Sequence, residues 1–221
     1  MERLTWPDLD GRRVLLAVPV GATEQHGPHL PLATDTLIAR SLTERLAAAR
    51  ADLVAGPALA YGASGEHEGF PGTVSIGAEA LERCVVELVR SATRWAAGVV
   101  LVNAHGGNLE ALAAARRRLE AEGRGPLVFS PPPVGDAHAG RTETSLLLAL
   151  APELVVLERA VAGATAPLRS LLAELRARGV RPVSPTGVLG YPAGASAALG
   201  EQLLERWLAD LLAAVAEWSP R

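Results

Sequence analysis

Apolar positions along this chain fall into short unbroken runs of strand length that alternate with longer stretches of helical spacing. Residues 14–20 form a continuous apolar run, and residues 36–50 repeat apolar side chains at three- and four-residue intervals. A short strand at Leu53–Ala55, closed by Gly-Pro, is followed by a helix over 78–97, a strand at Gly98–Asn103 and a helix over 108–122. A strand at 127–130, stopped by three prolines, precedes helices over 142–150, Leu168–Arg178 and 195–218, with 154–157 a further candidate extended segment. Residues 179–194 are rich in Gly and Pro and read as a loop excursion before the last helix. Strands that alternate with helices need crossover connections, which make a mostly parallel sheet covered on both faces. The expectation is a single domain over residues 1–221, an α/β fold with three layers, α/β/α.

Composition narrows the partners. With 221 residues, 49% of them hydrophobic, the chain can bury a sizeable core. A formal charge of −3 gives no reason to expect nucleic acid or an anionic membrane as partner. Arg116, Arg117 and Arg118 fall on a helical stretch, where a solvated face explains them. The single cysteine, Cys84, cannot form an internal disulfide and sits in an apolar helical pattern, which predicts a small core residue. No signal peptide and no membrane-length apolar run is present, so the cytoplasm is the expected location.

The chemistry-bearing residues gather where strands end. After the first strand comes Glu24-Gln-His26-Gly-Pro-His29-Leu-Pro-Leu-Ala-Thr-Asp35. Glu24 and His26 are two apart, so an extended segment points both to one side. Asp35 arrives where the next helix should start. A carboxylate, an imidazole and a second carboxylate make a divalent-metal site, and a carboxylate with two oxygens can bridge two ions. The plainer reading is a polar loop with a capping Asp. Ser64, Glu66, His67 and Glu68 follow the second strand, Asn103-Ala-His105-Gly-Gly-Asn108 the third, and Asp136, His138 and Glu143 the fourth. Parallel sheets bind ligands at that edge, and four of the five histidines lie there. Asn108 is placed to cap the helix that follows it.

Rival chemistries fit less well. Neither a GxGxxG nor a GxxxxGK[ST] pattern accompanies Gly106 and Gly107, which weakens nucleotide binding. Gly62-Ala-Ser64-Gly-Glu66 has Glu where a nucleophile elbow needs its final glycine, so Ser64 fits a substrate contact or a turn residue better than a nucleophile. His67, flanked by Glu66 and Glu68, fits loop ordering by hydrogen bonds better than direct ligation. His29 fits either a substrate contact or a support behind a ligand.

Taken together, Pro19-Val-Gly-Ala-Thr-Glu24-Gln-His26-Gly-Pro-His29-Leu-Pro-Leu-Ala-Thr-Asp35, Asn103-Ala-His105-Gly-Gly-Asn108 and His138-Ala-Gly-Arg-Thr-Glu143-Thr-Ser145 resemble the creatininase (creatinine amidohydrolase) family. The resemblance implies that Glu24 and His105 bind one metal and His26 the other, with Asp35 bridging. Creatininase itself carries a glutamate ligand two residues after the histidine that matches His105. Gly107 stands there in this chain, so the second ion is one ligand short and Glu143 is the candidate. Creatininase also grips its substrate with a Trp-Asp pair just before the histidine matching His138. Pro133-Val-Gly135-Asp136 occupies that place here, so creatinine is not the expected substrate.

Residues 62–73 and 183–190 are most similar to a peptidase branch of the family that releases a modified C-terminal Val–Tyr unit from a precursor peptide. The resemblance therefore implies a hydrolase of amide or peptide bonds with two divalent ions (zinc, iron or manganese), assembled as a homo-oligomer. Such ions lower the pKa of a bound water from 15.7 to about 7. His138 or Glu143 would protonate the departing amine, and Ser64, His67 and His29 are candidate substrate-binding residues. The alternatives are deformylation or deamidation of a small cyclic amide or formamide, and a metal-binding scaffold without catalysis.

Overall fold

The computed structural model describes residue 1 and residues 3–220. Four strands, β1 (Leu15–Val20), β2 (Leu53–Ala55), β3 (Gly98–Asn103) and β4 (Leu127–Phe129), form one sheet in the order β2-β1-β3-β4, every pair parallel. Side chains alternate across the sheet, and two cores result. Leu15, Ala17, Val100, Val102 and Phe129 face α1 (Thr34–Ala49), α4 (Arg141–Leu150) and α7 (Ala197–Glu217). Leu16, Val18, Val20, Val99 and Leu101 face α2 (Ala78–Ala92) and α3 (Leu109–Ala121). Helices cover both faces, as the alternating pattern requires.

A third, smaller cluster holds the late excursion in place. Leu175 of α5 (Leu168–Arg178), Val180 of the short α6 (Val180–Val183) and Leu189 pack with Phe70, Leu171 and Val183. The excursion then pairs with the loop after β4: His138 N–H donates to the Leu189 carbonyl (3.2 Å), and Leu189 N–H returns a bond to His138 (2.9 Å). It is thereby drawn over the carboxyl ends of the strands.

Four expectations are corrected. Residues 154–157 are not a strand: they lie between 3-10 turns at Pro152–Leu154 and Leu157–Arg159, and Val156 N–H bonds His29 rather than a sheet edge. The second helix stops at Ala92, not 97, because the chain must turn at Thr93 to enter β3. Cys84 is exposed on α2, since the buried stripe of that helix runs through Leu81, Val85 and Val89 instead. Asn108 precedes α3 but does not cap it with its side chain. Its amide instead receives Ala63 N–H (2.9 Å) and donates to Gly21 O and Asn103 Oδ1 (3.0 Å each), tying three loops together.

Leu101→Ala, in the middle of the central strand pair and with no exposed surface, should cost about 2–5 kcal/mol in urea denaturation. Cys84→Ser should change stability by no more than about 0.5 kcal/mol.

Candidate metal centre

The loop after β1 doubles back on itself, with Glu24 N–H bonded to the Leu32 carbonyl (3.1 Å) and Gly27 in the left-handed region at φ 63°. This fold-back sends Glu24 and His26 to the same interior point and delivers the chain into α1. Asp35 is the second residue of α1, two positions past the N-cap Ala33, with its side chain 1% exposed. The loop after β3 brings in His105, and α4 brings in Glu143 from its first turn.

Three donor triads result. Glu24, Asp35 and His105 have ligand atoms within 4.8 Å of one another; so do His26, Asp35 and Glu143, and so do Glu24, His26 and His138. Asp35 is common to the first two. His26 Nε2 lies 3.1 Å from Asp35 Oδ1 and 3.9 Å from Glu143 Oε2. His105 Nδ1 lies 3.3 Å from Asp35 Oδ2. One nitrogen of each ring meets a backbone carbonyl: His26 Nδ1 is 3.1 Å from Glu24 O, and His105 Nε2, which also lies 3.2 Å from Glu24 Oε2, is 3.0 Å from Ala63 O. A carbonyl only accepts, so each takes one ring N–H and leaves the other nitrogen, which faces Asp35, as the one an ion would bind once deprotonated.

The electrostatics fit cations at this point. Both oxygens of Glu24 and Oδ2 of Asp35 are buried without a hydrogen-bond partner. Burial, reinforced by the Asp35 charge, pushes the Glu24 carboxyl up to about 8. Burial works against charge on Asp35 too, yet the charges of His26 and His105 hold it below the usual carboxylate range. Burial likewise opposes the imidazolium form of His26 and His105. The acids around them outweigh it and raise both to about 10. Two imidazolium protons thus supply part of the positive charge that two divalent ions would bring. Burial also raises Glu143, whose Oε2 accepts Ala139 N–H at 2.5 Å. At 20% side-chain exposure Glu143 is the most open of the five ligand-type residues.

Gly107 admits no side chain. A Cβ there would collide with the Ala63 carbonyl and the His105 ring, so a further carboxylate beside His26 and Asp35 comes from another segment. Glu143 is the residue that the structure brings there. The candidate substrate residues sit deeper than expected. Ser64 is fully buried with Oγ 3.4 Å from His105 Nε2. His67 places Nε2 3.4 Å from Glu24 Oε1. His29 bonds Thr144 Oγ1 (2.9 Å) at 1% exposure. His138 directs Nδ1 toward Glu24 Oε1 (3.8 Å). The sequence assigns no role to Gln25, Asn103 or Glu66. The first two are amides without a titratable signal, but both lie inside the motifs that carry the resemblance. Glu66, partly exposed, lies 3.9 Å from His105 Nε2.

Residues 2–215 match the family model described as creatininase, creatinine amidohydrolase. The chain belongs to the creatininase family. It is 50% identical over 212 residues to the mycofactocin precursor peptide peptidase of Mycolicibacterium smegmatis, covering 93% of this chain and 86% of that one. A creatininase variant solved in a Zn–Zn form superposes with a TM-score of 0.79 at 29% identity, covering 98% of this chain and 96% of that one. A creatininase solved with Mn gives the same TM-score and identity over 98% and 97%. The fold is that of the family. No helix among the described residues is long and apolar enough to cross a membrane.

Metal binding should release protons. His26 and His105 hold theirs up to about pH 10 in the metal-free protein, and an ion takes the deprotonated ring. Raising the pH lowers the cost of that deprotonation, so affinity should climb through the neutral range and level off toward pH 10. Titration calorimetry in buffers of different ionisation enthalpy should show about three protons released at pH 7 on loading both ions, one each from Glu24, His26 and His105. A pH-independent affinity would contradict this electrostatic description.

Proposed function

We propose that this chain is a two-metal peptidase that hydrolyses the mycofactocin precursor peptide, releasing its modified C-terminal Val–Tyr unit. The observation that carries the reading is the sharing of Asp35 between two donor triads, in a chain half identical to a peptidase of that name. Residues 1–221 act as one hydrolase domain. Glu24, Asp35 and His105 would hold one ion, and His26, Asp35 and Glu143 the other. The mixture of imidazole and carboxylate suits zinc, iron or manganese, and such a pair supplies an activated water and polarises the scissile carbonyl.

The remaining roles follow from which atoms are committed. His138 Nε2–H donates to the Gln25 carbonyl at 2.8 Å, which leaves the Nδ1 lone pair toward the centre. Burial, with His26 and His67 beside it, holds the His138 imidazole well below its ordinary value. A proton taken up at Nδ1 is therefore passed on readily to the departing amine. Glu143, partly open, lies where the peptide enters. Ser64, His67 and His29 lie behind the ligand residues and orient them: Ser64 against His105, His67 against Glu24, and His29 against α4 through Thr144. Peptide contacts then fall to the partly exposed rim, where Glu66 stands.

Mass spectrometry of the modified precursor peptide, incubated with enzyme and defined metals, tests the substrate. Release of a Val–Tyr product is expected, and turnover of a small formamide or cyclic amide with the peptide left intact would replace this reading with the runner-up. Asp35→Asn should lose both ions and reduce turnover by at least about 10³-fold, because a neutral amide offsets none of their charge. Glu143→Gln should retain about one ion per chain with the fold intact. Elemental analysis and circular dichroism of the reloaded variants check both. Full metal content in Asp35→Asn would exclude a bridging role.

A further inference from the structure

Gln25 lies between two metal-ligand residues and is itself 5% exposed. The direction of its amide is decided by two backbone groups. Gly27 N–H donates to Oε1 at 2.9 Å, and Nε2 donates to the Gly187 carbonyl at 3.1 Å. Reversing the amide would set N–H against N–H at one end and oxygen against oxygen at the other. Gly187, at φ 81°, has no alternative residue here, because a Cβ would fall on Gln25 Oε1. The late excursion thus reaches the centre through a single carbonyl.

The second hydrogen on Nε2 has one acceptor. His67 Nδ1 lies 2.7 Å away. His138 Nε2 is also close, at 3.0 Å, but its own hydrogen is already committed to the Gln25 main-chain carbonyl, so it cannot accept. With Nδ1 of His67 accepting, the proton of that neutral ring must sit on Nε2, which faces Glu24 Oε1 at 3.4 Å. The other oxygen of Glu24 stays with the His105 side of the cluster, 3.2 Å from that ring.

We propose that Gln25 is a positioning residue that sets the hydrogen-bonding sense of two imidazoles. Its side chain fixes the His67 proton on Nε2, the nitrogen that faces Glu24, and its main-chain carbonyl makes His138 an acceptor at Nδ1. This rests on the two-ion reading for its consequence, but the proton positions stand without it. His67 is thereby removed from the ligand set: Nδ1 is occupied by Gln25, and Nε2 carries hydrogen. His138 keeps a lone pair toward the reacting groups because its partner is backbone and independent of the residue at position 25.

The test is long-range ¹⁵N–¹H NMR of the histidine rings in zinc-loaded, ¹⁵N-histidine-labelled protein, where diamagnetic zinc leaves the signals visible. Wild-type protein should show His67 and His138 both protonated at Nε2. Gln25→Met, similar in volume but without hydrogen-bonding groups, should convert His67 to a tautomer mixture or to the Nδ1–H form while leaving His138 unchanged. Zinc affinity should weaken by about 10–100-fold. A general loss of packing would disturb both rings, so the selective change is the signature. An Nδ1–H His67 in the wild-type spectrum would overturn the proposal even if Gln25→Met did not fold. So would a Gln25→Met protein with His67 and zinc affinity both unchanged. The wild-type pattern in a protein holding only one zinc would support the role of Gln25 and count against the two-ion reading instead.

Discussion

Glu24 and Asp35 are buried to within 1% of full exclusion from solvent, and among the described residues the basic groups within 4 Å of them are all imidazoles. An uncompensated buried charge costs several kcal/mol, and here two carboxylates sit together with Glu143 close by. A proton or a cation must join these carboxyls whenever the protein is folded. Protonated His26 and His105 can meet that demand without metal, and two divalent ions can meet it with the imidazoles neutral. The two states would exchange protons for ions.

The fold is arranged to deliver these groups at low cost. Asp35 and Glu143 each lie in the first turn of a helix, α1 and α4, where the unsatisfied N–H groups and the helix dipole favour negative charge. His26 and His105 lie on loops that leave adjacent strands β1 and β3, so their separation is set by the spacing of a parallel pair. Asn103 and Asn108 fasten the His105 loop from behind, with Asn103 Nδ2 bonding the His105 carbonyl at 2.8 Å. Gly107 lets the Ala63 carbonyl approach closely enough to take the His105 Nε2 hydrogen.

Much of this was legible in the sequence, for identifiable reasons. Strand and helix periodicities gave the parallel sheet and its two covers, because each face must bury a stripe. The clustering of Glu24, His26, Asp35 and His105 just past strands pointed to one edge. Legibility failed where a residue's partner is distant. Cys84 looked apolar by composition, yet the stripe of α2 passes it by. Residues 154–157 had strand-like side chains but no edge to pair with. Asn108 had the right position for a cap and a better use elsewhere. Gln25 was invisible as chemistry, since an amide has no charge to titrate, and its bond to Gly187 spans 162 positions.

In the proposed centre one buried carboxylate, Asp35, joins two ions. Anomalous diffraction at the zinc edge from crystals of the zinc-loaded protein tests it most directly. Two anomalous peaks are expected on either side of Asp35, one also ligated by Glu24 and His105 and the other by His26 and Glu143. A single peak, or a second ion seated on Glu24, His26 and His138 with Glu143 unligated, would contradict it.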